Sequence, residues 1–566
     1  MPHSRMYRYL IAFLFAFVSA SLRAQSEPAF THEFGAPGQQ GSFRVKFDDR
    51  GAGIYFLQLM DHFATPSAQA KKPEELTAAD YMLLVGNGSD YSLLVREVET
   101  SLFDKNPWDQ AWSRSVAPGA VSFAIESSRG LRLTKTFRHR QDQRGFAIEL
   151  KLENLRLADA AVPSVMLQMS GPAIVNRTEL AMFGTSAWAV ASTETGEVAH
   201  VGASAEGARQ DLMMFDAQRF EMTGSSNRFF GSFLFPMDEA TRSAVTRVDV
   251  ESLPRIANAD LMVAARSMPR TLVQLRLPIP VIGSASTVSF GLYLGPKSFS
   301  VFDESPEHAR FSPILDVDLE PPCCGSIVIP GGRFMATMLV KLLGLFHGMC
   351  GVWGVSIMLL TILVRGCLAP LNFRMQKSMR AYGKRMAVVK PKLDKIKEQY
   401  ADDPKAYQQA MIAFQRENKL MPPLGGCLPI FLTMPIYIGL FTALRTAYDL
   451  RHQGFLFMGD LSAPDMLFGL PFWPGHFNIL PLVWISLMLI LQSKMPLPTD
   501  PQQRQMQQIM RYMPLMFGVL LYNYAAGLMV YMVTSMVWTF GESAVTKKIL
   551  GPIDPNAAAM APTPMM

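Results

Sequence analysis

The stretch VWGVSIMLLTILVRGCLAPL, Val352–Leu371, decides the fold class. It is long and apolar enough to cross a bilayer as one helix, and Arg365 is its only charged side chain. A cation at that depth costs several kcal/mol, roughly 3 on insertion scales, unless it faces protein or water. The other hydrophobic segments are read as holding no acidic residue to pair with it, so Arg365 points to a wet recess within the membrane. The rival reading is a side chain that snorkels to nearby headgroups, because the span ends at Leu371, roughly 9 Å further along the helix.

Working outward, Phe334–Leu371 would measure roughly 57 Å as one helix, against a bilayer core of about 30 Å. It must divide, and Gly348 and Gly351 supply the break. Residues 334–347 are then expected as an amphipathic interfacial helix and 352–371 as a crossing. Further crossings are expected at 424–444 (containing Pro429 and Pro435), 477–492, 509–524 and 528–545, the last two joined by a tight turn at Asn523–Gly527. Between Asn372 and Pro423 lie twelve Lys/Arg against five Asp/Glu, and Lys547-Lys548 follow the last span. Basic loops stay cytoplasmic. Residues 1–24, with Arg5 and Arg8 ahead of the apolar run Tyr9–Val18, read as a signal peptide or signal anchor. Six hydrophobic segments then leave the tail, 546–566, in the cytoplasm.

The chain is 49% hydrophobic and 18% charged over 566 residues, too apolar for an average soluble protein and too polar for a wholly embedded one. The apolar runs fall late. Residues 25–325 instead show short alternating segments: in Phe146–Leu155, Ile148, Leu150 and Leu152 face one way and Glu149, Lys151 and Glu153 the other. Leu131–Phe137 and Thr287–Leu294 repeat the pattern, which predicts a large exported antiparallel β-sandwich. It contains no HExxH, GxSxG or phosphate-loop motif, so a scaffold or docking role is expected there. Five cysteines (Cys323, Cys324, Cys350, Cys367, Cys427) show no metal-ligand spacing, and no metal or cofactor is expected.

The basic loop 372–423 carries its own pattern. Met375, Met379, Tyr382, Met386, Val389, Leu393, Ile396 and Tyr400 recur at alternating steps of four and three, an apolar seam along one long helix. Arg374, Lys377, Arg380 and Lys384 form a basic stripe beside it, and Asp403-Pro404 opens a second helix. The two make a cytoplasmic helical hairpin. Its basic stripe suits anionic lipid, ribosomal RNA or an acidic protein, or serves only to set topology. Methionine is abundant, 37 residues, and its flexible thioether suits surfaces that accept varied apolar partners.

Together these residues resemble the YidC-type membrane protein insertases from about Met338 to Thr546. The resemblance rests on Val364-Arg365-Gly366, Pro423-Leu424-Gly425-Gly426-Cys427 with Met434-Pro435, Asp460-Leu461-Ser462, Thr499-Asp500-Pro501 and Met513-Pro514, in matching order and spacing. It implies a multi-domain protein of the inner membrane: a large periplasmic β-sandwich, then an all-α membrane domain of five core transmembrane helices with the cytoplasmic hairpin. It also implies a hydrophilic groove lined by Arg365, with Thr361, Thr433, Tyr531, Met532 and Ser535 beside it. The implied partners are nascent membrane proteins, the Sec translocon, membrane lipids and, through the cytoplasmic loops, the ribosome. Three departures stand out. Thr433 replaces a larger polar side chain of some relatives, the last turn reads Ala525-Ala526-Gly527 instead of Pro-Ser-Gly, and the tail beyond Lys548 is not basic.

Two other classes compete. A solute transporter would show paired intramembrane charges or matched repeats, and neither is read here. A membrane-anchored protein with a carbohydrate-binding periplasmic domain would need clustered carboxylates and aromatics in the sandwich. The expectation is a non-enzymatic insertase and chaperone.

Overall fold

The computed structural model describes residues 30–86, 92–157, 163–174, 188–202, 208–215, 219–253, 268–318, 332–400, 404–417, 436, 439–471, 475–493 and 512–551. The chain forms two compact units, Met1–Ile314 and Leu315–Met566. The first is rich in β-sheet and the second is helical, with apolar helices. The N-terminal segment 1–24, Cys323, Cys324, Pro429 and Pro435 lie outside the described residues.

In the first unit β1 (Phe30–Phe34), β2 (Phe43–Asp48), β3 (Gly53–Phe63) and β4 (Tyr81–Val85) form one antiparallel sheet in that order. A five-stranded and a nine-stranded sheet complete the described strands, and the centre of the larger is β5 (Leu131–Arg140), β6 (Gly145–Asn154) and β7 (Ala285–Pro296). The alternation in β6 is kept: Ile148, Leu150 and Leu152 are buried while Glu149, Lys151 and Glu153 are half-buried on the other face. Phe34, Phe43 and Phe47 of the smaller sheet pack their rings on Phe123, Phe137 and Phe146 of the larger, at centroid distances of 5.0–5.6 Å for the Phe34–Phe146, Phe43–Phe146, Phe47–Phe123 and Phe47–Phe137 pairs. Such interlocked rings contribute beyond the area they bury.

The same two-residue period carries a lysine into this core. Lys135 shares the face of β5 with Leu131, Leu133 and Phe137, and all four are fully buried. Its Nζ donates to the carbonyl oxygens of Ala52 (2.9 Å) and Leu93 and sits 4.8 Å from the Phe137 ring. Ala52 and Leu93 are both left-handed (φ 49° and 62°) in the turns that offer these carbonyls. Burial pushes the amine down to about 7.

The second unit begins with α1 (Gly332–Cys350), in which Ala336, Leu339 and Leu343 are buried and Phe334, Met338, Leu345 and Met349 are exposed. Gly351, at φ 68°, ends it. Gly348, expected to share the break, lies inside the helix. Trp353 then opens α2 (Trp353–Gln399), its ring stacked on His347 at 3.9 Å. No break separates the crossing expected at 352–371 from the first arm of the hairpin. They are one helix of 47 residues, with Pro370 and Pro391 inside it. A proline removes one backbone hydrogen bond, and the helix-favouring Leu, Met, Lys and Arg around each carry the helix through. After α3 (Pro404–Glu417), helical turns at 439–446 and 512–520 flank α4 (Ile479–Ser493), and α5 (Ala526–Leu550) closes the unit. Trp353–Ser378 and Ala526–Leu550 are long and apolar enough to cross a membrane.

Lys135 gives the β-rich unit a pH signature. Between pH 7 and the ordinary lysine value of 10.5 the unfolded chain holds this proton while the native fold releases it. Native stability therefore rises across that window, with a slope on the order of 1 kcal/mol per pH unit. Urea midpoints followed by tryptophan fluorescence should show the rise in the wild type, and Lys135→Met should lack it.

Candidate functional site

Two helices frame the site. Contacts advance in step along α2 and α5: Ile357 lies against Gly527, Arg365 donates from Nη2 to Ser535 Oγ, and the Glu542 carboxyl engages the Asn372 amide. The two helices therefore run parallel. Gly366 faces the Trp538 ring, which an added Cβ would meet at 3.9 Å.

Arg365 is half-buried, twelve residues into α2 and roughly 18 Å from its start. Its guanidinium turns to α5 rather than away from the unit. Ser535 is 2% exposed, so the hydroxyl that receives it is a protein-interior group. Thr361, one turn earlier on α2, is 1% exposed and donates its own hydroxyl to the Ile357 carbonyl at 2.6 Å. Tyr531 is buried and Met532 half-buried, one turn before Ser535 on α5. The structure thus gathers Thr361, Arg365, Tyr531, Met532 and Ser535 along the α2–α5 pair, while Thr433 lies outside the described residues. Arg374 and Lys377 are exposed further along α2. Arg380 and Lys384 occupy the same continuous helix, with only their backbone described.

One charged residue of the strip was missed. The sequence reading assigns no acidic residue to the apolar segments, yet Glu542 stands in the last of them, half-buried and within the electrostatic reach of Arg365. The signal was available: Glu542 follows Ser535 by seven residues and Asn372 follows Arg365 by seven, which puts each pair on one helix face. Arginine, hydroxyl, amide and carboxylate form a polar strip that runs from Arg365 and Ser535 to Asn372 and Glu542, sixteen residues into α5.

The opposite end of the helical unit is sealed. Asp465, 5% exposed, accepts the Ile479 and Leu480 backbone N–H groups at 2.7 and 2.9 Å and so caps α4. Asn478 is fully buried. Its backbone N–H donates to the Tyr522 hydroxyl, its amide nitrogen donates to the Tyr522 carbonyl and Asn523 Oδ1, and its oxygen accepts from Met466 N, all at 2.9–3.0 Å. The first N–H groups of α5 are met by loop carbonyls, Ala526 to Ala463 and Gly527 to Leu461, both at 2.7 Å. Helix starts that would otherwise present bare donors are closed by side chains and loop backbone. Among the described residues no three His, Cys, Asp or Glu side chains converge as a metal site requires.

The chain is similar to known proteins. Residues 345–552 match the family model of the 60Kd inner membrane protein. A membrane protein insertase YidC of Nitrosospira multiformis is 34% identical over 271 residues, covering 48% of this chain and 42% of that relative. One from Pelobacter propionicus is 26% identical over 551 residues, covering 94% of this chain and 90% of the relative. In the first of these alignments the chain spans under half the relative's length. A solved structure titled "Active YidC insertase crystal structure with the first transmembrane domain resolved" covers 95% of this chain and 99% of its own, at 15% identity and a TM-score of 0.33. The YidC-type resemblance read from the motifs is borne out.

The seal can be tested by its buried amide. Asn478→Ala strands the Met466 N–H and the Tyr522 carbonyl, each worth about 1–3 kcal/mol when left unmet. Its thermal midpoint in detergent should fall well below that of the wild type, with helix content unchanged before melting.

Proposed function

We propose that this chain is a membrane protein insertase and chaperone of the inner membrane. It receives nascent membrane proteins in a hydrophilic groove along α2 and α5 and releases them laterally into lipid. The observation that carries the reading is Arg365, held against Ser535 between two membrane-length apolar helices. One end of that helical unit is sealed by Asp465 and Asn478, and Glu542 stands at the other. The family match over residues 345–552 supports the same function.

In this reading the polar strip receives the short hydrophilic tail of a client. A tail that meets a guanidinium, hydroxyls and an amide partway across loses less hydration than one entering bare acyl chains. Partition of the client's own apolar helix then drives insertion, so no nucleotide and no covalent chemistry are required. The sealed end lies on the periplasmic side and the Glu542 end on the cytoplasmic side, as the basic residues of α2 and Lys547-Lys548 favour. Parallel α2 and α5 then cross in the same direction, which six hydrophobic segments require. The β-rich unit is read as a periplasmic antiparallel sandwich, and α1 as an interfacial helix whose exposed apolar side meets lipid. The hairpin of α2 and α3, with Arg374, Lys377, Arg380 and Lys384, offers the ribosome, the Sec translocon and acidic headgroups a cationic surface.

The Arg365–Glu542 interaction also bears on the transporter reading, for which paired intramembrane charges would count. Glu542 lies sixteen residues into α5, roughly 24 Å from its start and close to the far interface, whereas transporter sites sit at the midplane. The insertase reading keeps the stronger support.

Depleting the protein should leave short-tailed membrane proteins uninserted. In proteoliposomes Arg365→Ala should cut insertion of an acidic-tailed client by about threefold to tenfold, equivalent to ~1 kcal/mol, with Arg365→Lys milder because the charge remains. Glu542→Gln removes a built-in competitor for the guanidinium and should raise crosslinking of that client to residue 361. A protein that inserts no client but moves a solute would overturn the reading.

A further inference from the structure

Within the loop between Ala447 and Asn478 several large apolar side chains are exposed while two carboxylates are drawn inward. Leu456 is 82% exposed, and Phe457, Met466, Leu467 and Phe468 are 44–52% exposed. Asp460 and Asp465 are instead turned inward: Asp460 Oδ1 accepts from His452 N, Ser462 N and the Ser462 hydroxyl at 2.7–3.0 Å, and Asp465 caps α4. A loop made for water would reverse this arrangement.

The display is built rather than loose. Phe455 and Met458 exchange backbone hydrogen bonds at 2.9 and 3.0 Å, and Met458 and Leu461 are buried beneath them. Phe455 packs so closely on the backbone of α2 that a Cβ at Gly354 would come within 2.1 Å of its ring. Leu456 and Met466 are held at φ 55° and 40°, a left-handed conformation that L side chains rarely adopt. The Phe468 and Phe477 rings stack at 4.8 Å. Strain and fixed rings hold the exposed apolar side chains in place.

What covers them follows from where the loop stands. It touches the first turn of α2 through Gly354, the first turn of α4 through Asp465 and the first turn of α5 through Leu461 and Ala463. Three apolar helices start on it. Exposed apolar side chains also stand at the starts of two of these helices, Val352 just before α2 and Leu482 and Val483 early in α4. In a membrane this level is the border between headgroups and acyl chains.

We propose that residues 455–457 and 466–468 form an apolar wedge seated in the bilayer interface, which holds the sealed end of the helical unit at a fixed depth in lipid. The partner is phospholipid, at the glycerol and upper acyl level. The proposal rests on the membrane reading given above and adds to it a specific lipid-contacting surface.

The test uses the full chain with its five cysteines replaced and one new cysteine at a time, Leu456→Cys, Phe468→Cys or Val537→Cys, carrying an environment-sensitive fluorophore. Val537, in the middle of α5 and 58% exposed, reports on the span itself. Each protein is reconstituted in phosphatidylethanolamine–phosphatidylglycerol vesicles containing nitroxide lipids, with the nitroxide either near the glycerol or deep in the chain. The loop probes should be quenched more by the shallow nitroxide than by the deep one, on the order of twofold, and the Val537 probe the reverse. Loop probes that stay unquenched while Val537 is quenched would overturn the wedge and leave the membrane reading intact. Failure of quenching at Val537 as well would overturn that reading and the wedge with it.

Discussion

A charge placed between apolar helices must be met by the protein, because lipid offers it nothing. Arg365 satisfies that demand through a hydroxyl 170 residues away in sequence, and the packing of α2 against α5 is organised around the meeting. Gly527 lies against Ile357 and Gly366 faces Trp538 where the two helices meet, Ser535 receives the guanidinium, and Glu542 with Asn372 extends the polar strip.

The sealed end answers the same demand in reverse. Helix starts carry unmet N–H groups, and here they are closed by Asp465 and by the carbonyls of Leu461 and Ala463, while Asn478 meets the Tyr522 carbonyl and the Met466 N–H beside them. Polar side chains drawn inward for that purpose leave the outer surface of the loop to Leu456, Phe457 and Phe468. One unit thus has a polar strip at one end and an apolar rim at the other, which is the asymmetry an insertase needs if cargo enters from one side only.

The β-rich unit follows a separate logic. Its core is a stack of phenylalanine rings, and the strictness of the two-residue period is seen best at Lys135, which is carried into the core because position, not chemistry, decides the face of a strand. Two left-handed turns at Ala52 and Leu93 then supply the carbonyls that make the position tolerable.

Much was legible in the residues alone. Hydropathy and alternation separate a β-rich region from a helical one because the two periods, near two and near four, leave different traces. Val364-Arg365-Gly366 with its companion motifs carried the family resemblance. Gly351 was readable as a break because a glycine between apolar runs is free to turn left-handed. Other features were decided only by packing. The meeting of Glu542 with Asn372 and the hydrogen bonds that Asn478 makes to Tyr522 and Met466 each depend on groups distant in sequence arriving together. Local sequence sets which face a side chain takes on its own helix or strand; only the tertiary structure decides what stands opposite it, and electrostatics and hydrogen bonding act on that second fact.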